Sequence, residues 1–207
     1  TYYNAIYVNM VGNEMFLDSA QVRNNVVARA KMLGYTPTSA RGSSATLNLT
    51  VTPSTNLTSV TVASNTLFTS TIDGIQYKFT TRQPYVLLQS TGYTSNTISI
   101  KEGEPITQRF TVNTNNDGQR FVLGNPNIDT TTIKIRIQTS SSNTSLRTFT
   151  EASNLVDVSA NSNVYFIQEN ENGKYELLFG DGVLGTALDN GNIVIADYNV
   201  VNGSITN

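Results

Sequence analysis

The chain has 207 residues, of which 38% are hydrophobic and only 14% charged, with a formal net charge of −2. It contains no Cys and no His, which excludes disulfides, thiol nucleophiles, the usual zinc sites and the commonest general base near neutral pH. Its 29 Thr, 19 Ser and 25 Asn suit strands and turns, while 10 Tyr and 8 Phe supply enough apolar surface to argue against disorder of the whole chain.

The first predicted element is a helix from about Ser19 to Leu33. Asp18 offers an N-cap, Val22, Val26, Ala30 and Leu33 recur at three- and four-residue spacing, and Gly34 ends the run. Arg23, Arg29 and Lys31 fall largely outside that stripe, so a one-faced packing helix is favoured over a nucleic-acid-binding one. Pro37 breaks the chain, and from Ala45 onward the hydrophobic period changes to 2.

Leu47, Leu49 and Val51, then Ile98 and Ile100, then Ile133, Ile135 and Ile137 alternate with polar residues, the pattern of half-buried strands with one wet face. Shorter strands are expected at Val60–Ala63, Tyr77–Thr81, Tyr85–Gln89, Arg109–Val112, Phe121–Leu123, Val164–Gln168, Tyr175–Phe179 and Ile193–Val200. Asp73-Gly74, Asp117-Gly118, Asn172-Gly173, Asp181-Gly182, Asn190-Gly191 and Asn202-Gly203 accept positive φ, as tight hairpins require, and favour antiparallel connections. Ser140–Ser145 reads as a loop, and Thr150–Val158 as a weak helix or irregular segment. The expected fold is mainly β with a few helices, an α+β class: a helical lead-in over 1–40, an antiparallel β domain over 45–138, and a smaller α+β piece over 146–207 that neighbouring chain would complete.

Charge is uneven along this order. Eight carboxylates (Glu151, Asp157, Glu169, Glu171, Glu176, Asp181, Asp189 and Asp197) face the single base Lys174 after residue 150, so a nucleic-acid backbone would be repelled there. A solvated acidic face is the plainer explanation and a docking surface for a basic neighbour the sharper one. No apolar run reaches the roughly 20 residues of a membrane span. A start at Thr1 reads as a fragment.

No motif carries catalysis. Phe179-Gly180-Asp181-Gly182-Val183-Leu184-Gly185 lacks the Lys-Ser/Thr of a phosphate loop and the Asp spacing of a calcium loop, so it reads as a sharply turned connection. Glu169 and Glu171 sit in a polar hairpin end, where a solvated turn is favoured over a glycosidase-like pair. No Ser occupies a Gly-x-Ser-x-Gly elbow, and there is no His to activate one. The four Asn-x-Ser/Thr triplets at Asn48, Asn56, Asn143 and Asn202 follow from composition alone. Neither an enzyme nor a cofactor is expected.

Two stretches carry a resemblance. Ala30-Lys31-Met32-Leu33-Gly34-Tyr35-Thr36-Pro37-Thr38-Ser39-Ala40 resembles a helix ending in a Leu-Gly-Tyr turn. Val164-Tyr165-Phe166, then Asn172-Gly173-Lys174-Tyr175-Glu176-Leu177-Leu178-Phe179-Gly180-Asp181-Gly182, resembles a strand, turn, strand and Phe-Gly-Asp-Gly sequence. Both are similar to the baseplate wedge proteins of contractile-tailed bacteriophages, the baseplate J-like family. The resemblance runs in outline from Val22 to Asn207, and Ala187-Leu188-Asp189 departs from it where many relatives carry prolines.

What the resemblance implies is a structural virion subunit of the tail baseplate, assembled in the host cytoplasm, that joins wedges into a ring around the hub. Its partners would be further copies of itself, as a dimer or larger, and other wedge proteins, with no nucleic acid and no membrane segment. Leu33, Gly34, Tyr35 and Phe179 to Gly182 carry over as structural motifs, and Val22, Val26, Glu169 and Glu171 are the candidate interface residues. The alternative is a carbohydrate-binding or adhesin-type module using Tyr2, Tyr3, Tyr7, Tyr85 and Tyr93.

Overall fold

A computed structural model describes residues 2–16, 18–32, 38–116, 119–152, 158–170 and 172–202. In chain order the elements are α1 (Tyr2–Glu14), α2 (Arg23–Met32), β1 (Ser44–Thr50), β2 (Ser59–Val62), β3 (Leu67–Ile72), β4 (Ile75–Thr81), β5 (Tyr85–Leu88), β6 (Thr94–Glu102), β7 (Glu104–Thr111), β8 (Phe121–Val122), β9 (Ile128–Gln138), β10 (Leu146–Glu151), β11 (Val164–Glu169), β12 (Tyr175–Phe179) and β13 (Ile193–Val200). The chain is mainly β, with its helices at the N-terminal end and its strands largely antiparallel.

The largest unit is a seven-stranded sheet in the order β7-β13-β9-β10-β11-β12-β8. Only the short β10–β11 pair is parallel, Thr150 facing Val164. The sheet coils until its two outer strands meet through side chains instead of a backbone ladder. Gln108 on β7 donates from Nε2 to the Val122 carbonyl (3.2 Å) and accepts at Oε1 from the Gly124 N–H (3.1 Å). Phe110 packs edge-on against Phe121 across the same seam, ring centres 5.7 Å apart. The alternation of Ile133, Ile135 and Ile137 sends these side chains inward, where they pack with Leu123, Ile128, Phe149, Tyr165, Leu177, Val194 and Tyr198. Each such buried side chain contributes roughly 1.5–3 kcal/mol of apolar burial, which makes this barrel-like coil the main core of the chain.

The expected boundary between 138 and 146 therefore runs through one sheet. β9 ends at Gln138, β10 begins at Leu146, and the Ser140–Ser145 loop merely joins neighbours, Gln138 facing Leu146. The residues after 146 complete a core whose centre, β9, lies before it. The division falls at Ser43 and Gly103 instead. Between them lie a four-stranded sheet, β1-β6-β4-β3, and the two-stranded pair β2-β5. Departure and return are adjacent, since Glu102 N–H donates to the Ser43 carbonyl at 2.8 Å. Gly103 sits at φ +135°, and a Cβ there would lie 2.8 Å from the Asn199 Cβ, so no side chain fits where the insert turns into the barrel.

The insert is fastened to the barrel by buried polar contacts. Asp129, fully buried, accepts from Lys101 Nζ (2.6 Å), Gly42 N–H (3.0 Å), Thr131 N–H (3.0 Å) and the Thr131 hydroxyl (2.6 Å). Burial opposes its ionisation, but the Lys101 and Thr131 donors outweigh that and hold its carboxyl below the usual aspartate range. Glu102, 1% exposed, accepts from Asn202 N–H at Oε1, while Oε2 has no hydrogen-bond partner among the described residues. Burial, and then the Asp129 charge, push its carboxyl up.

Two expected features change. The helix expected over Ser19–Leu33 starts at Arg23, and Asp18 lies in the preceding turn. The Glu14 carboxylate takes the Gln21 N–H (2.9 Å), the Val22 N–H (3.2 Å) and the Asn25 side-chain amide (2.7 Å), and so ties the turn before α2, and its first turn, to the end of α1. Those donors, led by Asn25, hold its carboxyl low. The second difference is that α1, β3 and β10 form where no regular element was expected. Of Thr150–Val158, expected as a weak helix or irregular segment, Thr150 and Glu151 belong to β10, and 153–157 lie outside the described residues.

Candidate functional site

Among the described residues, α1 carries the densest run of exposed apolar side chains. Tyr3, Ile6, Tyr7 and Met10 fall at i, i+3, i+4 and i+7, and Val8, Val11 and Met15 form an adjoining stripe. At 100° per residue these two stripes cover more than half of the helix circumference. All seven are exposed, from 46% at Ile6 to 76% at Tyr3, as are Tyr2 and Phe16. A helix apolar on most sides is ordinarily buried, and contiguous exposed apolar surface of this kind marks an interaction site. The link to α2 is polar: besides the Glu14 carboxylate bonds, Arg29 Nε donates to the Glu14 carbonyl at 2.9 Å.

α2 continues this surface only in part. Val22 is exposed and Val26 half-buried, whereas Val27 and Ala30 are buried. The inward face is thus rotated from the expected stripe. Leu33, Gly34 and Tyr35 lie outside the described residues, as does Glu171.

At the far end of the chain, Phe179 closes β12 and turns its ring inward. It packs edge-on against Phe121 (5.4 Å) and Phe149 (5.9 Å), which extends the Phe110–Phe121 contact into a chain of four aromatic rings. The Gly180–Gly185 loop then folds on itself. A Cβ on Gly180 would lie 2.3 Å from the Gly185 carbonyl carbon, and Gly182 N–H donates to the Gly185 carbonyl at 3.0 Å. The Asp181 carboxylate accepts from the Val183 (2.9 Å) and Leu184 (3.0 Å) N–H groups, which hold its carboxyl low. The result is a fixed tip that presents Val183, 72% exposed, and Leu184 outward. The Asp and the glycines shape the backbone, and the apolar tip stands open to solvent beside the exposed Asp181.

Of the six described carboxylates in the acidic C-terminal stretch, three are used internally, while Glu151, Asp181 and Asp189 are exposed. Glu176, 1% exposed, receives Arg120 through both oxygens at 2.6 Å. Asp197 pairs with Arg136 at 2.6 Å. Glu169 is only 6% exposed and engaged within the fold, so it is no part of an open interface. Carboxylate count along the sequence therefore overstates the acidic surface. Of the tyrosines considered as sugar platforms, Tyr2, Tyr3 and Tyr7 lie exposed on α1. Tyr93 instead donates its hydroxyl to the Leu57 carbonyl, and the Tyr85 oxygen accepts the Ser99 N–H.

Among the described residues no group of three or more His, Cys, Asp or Glu side chains is placed to hold a metal ion, and no helix is long and apolar enough to cross a membrane. In comparisons with known proteins, no family model matches the chain and no curated protein matches it significantly.

Proposed function

We propose that this chain is a structural assembly subunit of the kind that forms baseplate wedges in contractile phage tails, working by self-association and by contact with other wedge proteins. The observation that carries the reading is α1, a helix of 13 residues whose apolar side chains stand in water on most of its circumference. Covering even four of them would contribute on the order of 6–12 kcal/mol of apolar burial before the costs of association, a driving force suited to a lasting partner. A second copy of α1 meets that need most simply, because an apolar stripe is complementary to itself across a two-fold axis. The Val183–Leu184 tip of the barrel offers a second point of contact.

The role in a phage baseplate rests on the resemblance of Ala30–Ala40 and Val164–Gly182 to that family. Sedimentation velocity on the full chain tests the assembly reading, with Tyr7→Asp/Val11→Asp as the paired variant. The expected outcome is a dimer or larger species that the variant reduces to monomer with its β-sheet circular dichroism intact. A wild-type chain that stays monomeric at every concentration, and that ignores neighbouring wedge proteins, overturns it and moves attention to a glycan array.

A further inference from the structure

Where the insert lies against the barrel there is a cleft of about 330 Å³, at the small end of the range for small-ligand sites. Its floor is the outer face of three neighbouring strands: Thr107 on β7, Asp197 and Asn199 on β13, and Thr132, Lys134 and Arg136 on β9. The register brings these together, since Asp197 faces Thr107 on one side and Lys134 on the other. The insert supplies the opposite wall through Asn65 and Thr80 to Arg82.

The charges do not balance. Arg82, Lys134 and Arg136 meet a single carboxylate, Asp197, which is already taken up by Arg136 at Oδ2 and by the Thr107 hydroxyl at Oδ1. Among the described residues Lys134 and Arg82 make no ion pair. Lys134 Nζ donates to the Arg82 carbonyl at 2.7 Å and Arg82 Nη1 to the Thr131 carbonyl at 3.3 Å, contacts that satisfy donors without neutralising charge. Burial, and then the Arg82 charge, lower the Lys134 ammonium from the ordinary lysine range, against the pull of Asp197. The hydroxyls around it are occupied: Thr81 donates to the Ala63 carbonyl, Thr132 to the Asp129 carbonyl, and Thr80 accepts from Asn199. The wall is therefore fixed in place, and two positive charges are left over.

We infer that this cleft binds a small dianionic oxyanion of the phosphate type, free or carried on a small organic molecule, gripped between Arg82 of the insert and Lys134 and Arg136 of the barrel. A guanidinium fork and an ammonium are the pair that suits such a group, one giving two parallel donors and the other a compact charge. The volume exceeds that of a bare phosphate, which leaves space for a short organic portion beside Pro105 and Ile106.

Isothermal titration of the full chain with inorganic phosphate and with glycerol 2-phosphate, at constant ionic strength set by chloride, tests this. One saturable site is expected, weakened about tenfold or more by Lys134→Gln and by Arg82→Gln, the loss that removal of one charged donor brings. Lys174→Gln, the same charge change in the β11–β12 turn, leaves it unaltered. Tighter binding of glycerol 2-phosphate identifies an organic phosphate as the occupant, and equal or weaker binding a free anion. Absence of saturable binding by wild type overturns the inference, as does equal binding by Lys134→Gln and wild type, or an equal loss in Lys174→Gln.

Discussion

Replacing Asp129 by Asn removes one charge and keeps the shape. The side chain is fully buried and accepts four hydrogen bonds, from Lys101 Nζ, Gly42 N–H, Thr131 N–H and the Thr131 hydroxyl. If the amide oxygen stays with Thr131, the new NH₂ points at two donors, Gly42 N–H and the Lys101 ammonium. The ammonium, 14% exposed, keeps the Thr131 hydroxyl as acceptor and loses its counter-charge. Breaking a buried pair from one side costs about 3–5 kcal/mol. At about 2–4 °C per kcal/mol for a chain of this size, that corresponds to a Tm lowered by roughly 6–20 °C. Urea unfolding followed by circular dichroism measures the loss. Adding Lys101→Met to Asp129→Asn should cost at least about 1 kcal/mol less than the two single changes summed, because the uncompensated charge goes with its partner. A loss below about 1 kcal/mol for Asp129→Asn, or strict additivity in the pair, would refute the account of this junction.

The same junction carries opposed pH dependences. Asp129 is held low, so its stabilisation is present above the ordinary aspartate value and lost as pH falls through its lowered folded value. Glu102 is pushed up, so its contribution is full below the ordinary glutamate value and lost as pH rises through its raised folded value. Glu102→Gln should therefore flatten the stability–pH curve just above the ordinary glutamate value and raise stability at pH 7 by about 1 kcal/mol, read from urea midpoints across pH. Gly180→Ala should cost about 1–3 kcal/mol because its Cβ meets the Gly185 backbone at 2.3 Å, whereas Gly124→Ala, with nothing within 4 Å, should leave the midpoint nearly unchanged. Gln108→Ala should loosen the barrel seam, speeding amide exchange at Gly124, whose N–H loses its acceptor, while exchange in β9 and β13 stays slow.

The strands with clean alternation were legible in the sequence. Leu47 and Leu49, Ile98 and Ile100, and Ile133 to Ile137 all fall in β1, β6 and β9, and Asp73-Gly74 and Asn172-Gly173 mark real hairpins. α1 escaped because its apolar residues occupy more than half of the circumference and leave only Asn9 and Asn13 as a narrow polar side, too thin to set a period. β10, Leu-Arg-Thr-Phe-Thr-Glu, buries only Phe149, so its pattern is too thin to read. Pairing order is a tertiary outcome: β9 sits between β13 and β10, while local turns point only to sequential neighbours. Burial of the carboxylates was hidden for a similar reason. Glu176 is matched by Arg120, 56 positions away, and Asp197 by Arg136 at 61. The cleft at Arg82, Lys134 and Arg136 gave no sequence signal at all, because it exists only where the insert folds back on the barrel.

β13 is the last of the described strands and also an inner one, paired along its length with β7 and β9. During synthesis the ribosome must therefore release residues 193–200 before the barrel can close, and until then β7 and β9 each show an open ladder to whatever passes. The insert has no such wait, because all its strands precede Gly103. It can fold while the barrel is still incomplete, holding Ser43 and Glu102 side by side and shortening the search that brings β7 towards its late partner. A ribosome stalled before Ile193 would thus leave a finished insert attached to an aggregation-prone, half-paired sheet.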